Sequence, residues 1–164
     1  MGIPLAGAQM AELIKIYREA WRAAGHKGRG RVMLAFHMFC AGSRDQAAAI
    51  AREPLNIYLK SIVDAASEWM SGVASKDYPN YQKMIEFIAK ENFESQVAKG
   101  AAWIGTPHDI RDAIAGYDAL VDGFESASLQ VNFGMISQPD AERSMKLFAQ
   151  EVMPHFQSKE VAPA

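Results

Sequence analysis

Hydrophobic and polar residues alternate along the chain with two different periods, which predict helices separated by strands. From Met10, apolar residues return every three or four positions as far as Ala24, and Gly25 then supplies a helix stop. Val32 to Ala41 is apolar at every position except His37, which is typical of a strand buried on both faces of a parallel sheet. The chain therefore opens with a helix that is followed by a buried strand.

Helical periodicity continues after this strand. Ser43 is the expected N-cap of a helix over Asp45 to Arg52. Pro54 then begins or kinks a second helical stretch that reaches Trp69, because proline lacks the backbone N–H that a helix interior needs. This arrangement predicts a long, interrupted helical segment after the strand.

Turn residues divide the next part of the chain. Gly72 to Pro79 is predicted as a loop, and a helix is predicted from Tyr81 to about Lys99. Thr106 to Asp109 supplies an N-cap, a first-turn proline and a capping-box acid, so another helix is expected to begin there and to end near Gly116.

The last third predicts one more strand and one more helix. Residues Ser126 to Gly134 alternate between apolar and polar side chains, as expected of a strand with one polar face. An amphipathic helix is predicted from Pro139 to about Pro154. We therefore expect one domain over residues 1–157, followed by a disordered tail over residues 158–164.

Strand, long helical crossover, strand and helix is the element order of a parallel α/β sheet. Two strands alone would leave open edges and an uncovered face. Either Gly2 to Ala6 supplies a third strand, or the missing strands lie on another chain or in an absent N-terminal segment.

Composition narrows the class of protein without naming a function. The chain has 164 residues, of which 49% are hydrophobic and 22% are charged, with a net charge of −2. These values predict a globular protein that binds neither nucleic acid nor a membrane, since no basic stripe and no run of roughly 18 apolar residues occurs. A single cysteine and no visible secretory signal favour the reducing cytoplasm, and the histidines lack the spacing of metal ligands.

Five segments together resemble a known family, and their order carries more weight than any one of them. They are YREAWRAAGH (17–26), VMLAFHMFCA (32–41), AWIGTP (102–107), SLQVNFG (128–134) and RSMKLFAQEVMPHF (143–156). Across nearly the whole chain they are similar to the closing third to half of bacterial-luciferase-like, flavin-dependent monooxygenases. The resemblance is strongest to the subgroup associated with polyketide and nonribosomal-peptide biosynthesis.

The resemblance implies an α/β fold that is the C-terminal portion of a TIM (βα)8 barrel, with about two βα units and extra helices, incomplete on its own. The chain would supply the sixth helix, the seventh strand, an excursion, the seventh helix, the eighth strand and the closing helix. It has well under the roughly 250 residues of a whole barrel.

The resemblance also implies a function. Reduced flavin mononucleotide (FMN), or a deazaflavin, would react with O2 to oxygenate a small organic substrate, with a flavin reductase as the electron source. The chain is expected to be inactive without the N-terminal half of the barrel. Its expected partner is that half or, in a homo-oligomer, another copy of the chain. The alternative is a non-catalytic module that self-associates or docks.

Several residues are candidates for the site that the resemblance implies. If the apolar side of the last strand faces outward, Gln130 and Asn132 point into the barrel, where their amides could bind flavin, and Gly134 could allow close approach of a ligand. His37 shares a face with Phe39 and Ala41 and could act as a donor, acid or base. The alternative for Gln130 and Asn132 is that their amides hydrogen-bond each other or lie exposed to solvent. The alternative for His37 is a buried structural histidine.

Three further positions have both a functional and a structural interpretation. Lys76, Asp77 and Tyr78 fall where the family carries an excursion over the active site, so they could form a lid or an ordinary surface turn. Thr106 could bind a phosphate or merely cap a helix. Cys40 is predicted to be a small core residue rather than a nucleophile.

Overall fold

The computed structural model describes residues 7–70 and 81–156. In this part of the chain, six α-helices surround a sheet of three parallel strands. In chain order the elements are α1 (Gly7–Ala23), β1 (Met33–Cys40), α2 (Arg44–Met70), α3 (Tyr81–Ile88), α4 (Phe93–Ala98), β2 (Ala102–Gly105), α5 (Pro107–Leu120), β3 (Ser126–Gln130), α6 (Gln138–Glu151) and a 3-10 turn (Met153–His155).

The sheet is built around β1, which pairs in parallel with both other strands in the order β2-β1-β3. β2 pairs with the C-terminal half of β1, His37 to Cys40, and β3 pairs with its N-terminal half, Met33 to His37. His37 takes part in both ladders, opposite Ala102 and Gln130. The sheet is open rather than closed, which confirms the prediction of an α/β barrel that is incomplete on its own.

The third strand corrects the prediction of two. No strand was predicted at Ala102–Gly105, yet all four residues are buried and pair with β1. A strand of four buried residues shows no alternation, so its periodicity carries no signal. The alternative third strand, Gly2 to Ala6, lies outside the described residues.

Side chains of β1 alternate between two hydrophobic cores, one on each face of the sheet. On the outer face, residues of β1 and β2 pack against α1, α5 and α6, and on the inner face they pack against α2, α3 and α4. The outer core includes Ile14, Leu34, Phe36, Met38, Trp103, Ile110 and Ile114. The inner core includes Phe39, Ala51, Leu55, Leu59, Ile88, Ile104 and Phe133.

The helix boundaries differ from the predicted ones where local signals compete. α2 continues through Pro54 as one helix, and Pro54 is itself buried. The single helix expected from Tyr81 is instead divided, because Asn92 forms a capping box with Ser95 and starts α4. α5 begins at the predicted cap but runs past Gly116 to Leu120.

The inner face is covered over only part of its area. α2 packs against β2 and the C-terminal residues of β1, whereas the side chains of the N-terminal half remain exposed. These exposed residues, here called the bare face, are Met33, Ala35, Ser126, Ser128 and Gln130. No helix in the described part of the chain is long and apolar enough to cross a membrane.

Candidate functional site on the inner face of the sheet

His37 lies at the boundary between the covered and the bare parts of the inner face. Its side chain is 5% exposed, and its ring stands edge-on to the rings of Tyr58 on α2 and Phe133, with centroid distances of 4.5 and 5.1 Å. The Nε2 atom is buried and has no hydrogen-bond partner among the described residues. A buried polar atom without a partner is uncommon and calls for a physical explanation.

Burial also fixes the charge of this histidine. Removal from water lowers the pKa of His37 to about 4, because the protonated ring loses its hydration. The imidazole is therefore neutral near pH 7, with one nitrogen that donates and one that accepts. It is suited to hydrogen-bond an uncharged group rather than to pair with an anion.

Gln130 is the one amide of the predicted pair that the structure places beside His37. The parallel register sets Gln130 opposite His37, so both residues belong to the inner face, with Gln130 exposed and His37 buried. Asn132 is exposed and lies beyond the strand, which ends at Gln130. The structure thus brings together two of the predicted polar groups.

The strand predicted over Ser126 to Gly134 is shorter in the structure, and the apolar residues of this segment belong to two different cores. Leu129 packs against the outer core as predicted, but Phe133 is buried in the inner core, because the chain leaves the sheet after Gln130. Gly134 has φ 59°, and a Cβ there would lie 2.4 Å from the Pro54 carbonyl oxygen. The close approach that this glycine allows is therefore to α2.

The other candidates have structural partners or lie outside the described residues. Lys76, Asp77 and Tyr78 lie outside them. The Thr106 hydroxyl accepts a hydrogen bond from the Asp109 N–H in the capping box of α5. Cys40 is buried, its N–H donates to Ser144 Oγ at 2.8 Å, and burial raises the pKa of its thiol to about 11. Cys40 is a core residue, as predicted.

Sequence reasoning missed an ion pair at the carboxyl ends of β1 and β2. Arg44 Nε donates to Asp109 Oδ2 at 2.9 Å, and hydrogen bonds from Arg44 and Thr106 hold the pKa of the Asp109 carboxyl well below its usual range. The pair borders a depression of about 640 Å³ that Gly42, Ser43, Asp45, Thr106 and His108 also line. Arg44 and Asp109 are 65 positions apart, so no local sequence pattern indicates that they pair. The sequence predicted only the role of Asp109 in the helix cap.

The described residues offer no metal site, since no group of three or more His, Cys, Asp or Glu side chains is placed to hold an ion. The polar groups of the inner face are uncharged, whereas in the depression Arg44 and Asp109 form an ion pair. The inner face is the site at which a buried polar atom, His37 Nε2, has no hydrogen-bond partner among the described residues.

Comparison with known proteins identifies the family. A family model described as luciferase-like monooxygenase matches residues 2–122. The chain belongs to the luciferase-like monooxygenase family. A search of curated proteins found no match.

Solved structures of luciferase-like enzymes share the fold. The chain is 24% identical to monooxygenase RslO1 from Streptomyces bottropensis (TM-score 0.63, 93% of this chain and 39% of that one). It is 16% identical to the oxygenating constituent of 3,6-diketocamphane monooxygenase from Pseudomonas putida, solved with FMN (TM-score 0.64, 93% and 44%). A riboflavin lyase solved with modified FMN and riboflavin is 17% identical (TM-score 0.55, 97% and 38%). The chain thus spans less than half the length of these luciferase-like proteins.

Proposed function

We propose that the chain forms one part of the flavin and substrate site of a luciferase-like monooxygenase that uses reduced FMN and O2 to oxygenate a small organic molecule. The observation that carries this proposal is the inner face, where buried His37 and exposed Gln130 lie side by side at the border of an uncovered surface. In a βα barrel the inner face of the strands lines the interior, and ligands bind at the carboxyl ends of the strands.

The inner face is suited to the isoalloxazine ring of a flavin but not to its phosphate. The unpartnered Nε2 of His37 and the Gln130 amide can hydrogen-bond an uncharged ring system with donors and acceptors on its edge, and the isoalloxazine of FMN is such a ring. Reduced FMN supplies the electrons for oxygen activation, while the protein positions the ring and excludes water. The tasks of this chain are hydrogen bonding by His37 and Gln130 and water exclusion by Tyr58 and Phe133.

The phosphate of FMN requires positive charge or free backbone N–H groups. In the depression at the strand ends, the Arg44 guanidinium already binds Asp109, and Thr106 caps α5. We therefore assign the phosphate to the N-terminal strands of the barrel, which would lie on a partner chain or in a preceding segment. A flavin reductase would deliver the reduced flavin in the cytoplasm.

A non-catalytic docking module is the second candidate, and exposed apolar residues favour it. Leu13 and Ile16 on α1 are 50% and 53% exposed, and Met33 on the bare face is 71% exposed. Leu13 and Ile16 lie one helical turn apart on α1, and neighbouring exposed apolar residues are a feature of association sites. A second copy of the chain could cover them without any role for flavin.

The deciding experiment is an anaerobic titration with reduced FMN of two proteins: the chain alone, and a fusion of the chain to the part of RslO1 that it does not match. We expect weak or no binding by the chain alone and saturable binding by the fusion. The RslO1 part alone is the control. A folded, monodisperse fusion that does not bind FMN would contradict the flavin proposal, and a stable homodimer of the chain would then favour the docking module.

A further inference from the structure

We infer that the exposed side of α1 and the loop that follows it form a docking surface for an acidic, amphipathic segment of a partner protein. The surface has two parts. The apolar patch consists of Leu13, Ile16, Tyr17 and Trp21 on α1, and the cationic loop covers residues 26–31. Because α1 packs on the outer face of the sheet, this surface is separate from the inner face, and the inference does not depend on flavin.

The apolar patch lies beside the stripe of α1 that packs against the sheet. Ile14 is buried, whereas Leu13, Ile16 and Tyr17 are 50%, 53% and 38% exposed. Residues three and four positions apart are neighbours on a helix surface, so Ile16 and Tyr17 both adjoin Leu13. The three side chains therefore form one patch, unlike the isolated apolar residues that most protein surfaces carry.

The cationic loop is folded back onto this patch by the two aromatic residues. Trp21 Nε1 donates a hydrogen bond to the Lys27 carbonyl at 3.1 Å, and the Tyr17 hydroxyl donates to the Arg31 carbonyl at 3.4 Å. The Trp21 ring also lies against the His26 ring, with 4.4 Å between their centroids. The loop is thus held in one arrangement before a partner binds, which reduces the conformational entropy lost on binding.

Most of the positive charge around the loop is uncompensated. Arg29 pairs with Asp122 at 3.3 Å. Arg22, Lys27 and Arg31 are exposed and form no ion pair with a carboxylate among the described residues. In a chain whose net charge is −2, this cluster is a local excess of positive charge. It complements a group of carboxylates on a partner.

The charges next to Ile16 favour a protein segment over a membrane or a nucleic acid. Glu12 and Glu19 are exposed on α1, four residues before and three residues after Ile16, so both border the apolar patch. An anionic bilayer or a nucleic acid that covered the patch would bring its phosphates against these carboxylates. A protein segment can instead place apolar side chains on the patch and confine its acidic side chains to the loop.

The test uses the full chain and three synthetic helical peptides. All three have leucine at every third or fourth position, and their polar positions hold glutamate, glutamine or lysine. Calorimetry and the resonance of the Trp21 indole N–H report binding. We expect saturable binding of the glutamate peptide that weakens as salt is added, weaker binding of the glutamine peptide and no binding of the lysine peptide. No binding of the glutamate peptide, or equal binding of the glutamate and glutamine peptides, would overturn the inference.

Variants locate the surface. Lys27→Glu combined with Arg31→Glu should weaken binding of the glutamate peptide about tenfold, whereas Lys90→Glu, after α3 on the other side of the sheet, should not change it. Leu13→Ser should also weaken binding, and Ile57→Ser on α2 should not. All five positions are exposed, so the variants should keep the circular dichroism spectrum of the parent chain. Equal effects within either matched pair would overturn the inference.

Other occupants of the surface are tested alongside. Tighter binding to phosphatidylserine-containing vesicles or to single-stranded DNA than to the glutamate peptide would indicate a membrane or a nucleic acid. A dimer of the chain that Leu13→Ser dissociates would assign the patch to a second copy. Protection of Leu13→Cys from a maleimide in a fusion with the part of RslO1 that the chain does not match, but not in the chain alone, would assign the patch to the rest of the barrel. Each of these results would overturn the inference.

Discussion

The two halves of the sheet share β1 and differ in the strand that pairs with it and in the helices that cover them. At the carboxyl end, β1 and β2 are buried between helices on both faces, and Phe39, Leu55 and Ile104 form a continuous core. At the amino end, Leu34 and Phe36 are buried on the outer face, but Met33 and Ser128 on the inner face are exposed. The carboxyl half thus has helices on both faces of the sheet, whereas no helix in the described part of the chain covers the inner face of the amino half.

The helices α2 to α4 give the carboxyl half of the sheet a hydrophobic core on its inner face. Apart from Met33, the bare face carries small and polar side chains, which lowers the free-energy cost of leaving it in water.

The largest expected effect is the difference in free energy of unfolding between truncating a side chain in the covered half and truncating one in the bare half. Leu55→Ala removes a fully buried side chain and should lower the free energy of unfolding by about 2–5 kcal/mol. Met33→Ala, on the bare face, should change it by less than about 0.5 kcal/mol. Urea unfolding measures both values. Equal losses would show that the bare face is covered in solution.

Acid should destabilise the covered half through His37. The unfolded pKa is 6.5 and the folded pKa is about 4, so the unfolded chain binds the proton first. Stability from the neutral ring is fully present above pH 6.5 and is lost as the pH falls towards 4, by on the order of 3 kcal/mol.

The check is the free energy of unfolding at pH 7 and pH 4.5 for the parent chain, His37→Asn and His108→Asn. The His37 variant should lose less stability on acidification than the parent, and the His108 variant should behave like the parent. A parallel loss in all three proteins would place the acid sensitivity elsewhere.

The contact between α2 and the segment after β3 predicts a smaller effect. Gly134→Ala must strain φ and move the Pro54 carbonyl, whereas Gly28→Ala, at φ 74°, meets no atom within 4 Å. Gly134→Ala should therefore be the more destabilising by about 1–3 kcal/mol. Thermal unfolding of both variants tests whether α2 lies over the sheet; similar losses would mean that it does not.

The smallest effect concerns the cap of α5. Asp109→Ala removes the hydrogen bonds to Thr106 and the ion pair with Arg44, and should cost about 1 kcal/mol. Asp112→Ala, one turn later and exposed, should change stability by less than about 0.5 kcal/mol. Chemical denaturation measures the free energy of unfolding of both variants. A larger loss in Asp112→Ala than in Asp109→Ala would contradict the role assigned to the cap.

The elements with strong local signals could be predicted from the sequence. The periodicity from Met10, the apolar run of β1 and the cap at Thr106 all gave the correct element, and the incomplete sheet followed from their order. β2 could not be predicted, because four buried residues have no period. Pro54 predicted that the helix would start or kink there, but α2 is continuous through Pro54, which is buried in its packing against the sheet.

The candidate site was predicted in part. Placing His37 on the inner face required only the alternation of β1. Its pairing with Gln130 depended on the register between strands, and the Tyr58 contact depended on where a distant helix crosses the sheet. Neither is encoded by local spacing. Asn132 was placed on the strand because alternation continues past the point where pairing ends.

The central claim is that the bare face becomes the interior of a barrel when the other strands are present. Ser128→Cys places a thiol in the middle of this face, and buried Cys40 with its raised pKa is a slow competitor for a maleimide. Labelling rates should be compared for the chain, at concentrations where it is monomeric, and for its fusion with RslO1. Fast labelling of the chain and strong protection in the fusion is the predicted result; equally fast labelling in both, with the fusion folded, would contradict the claim.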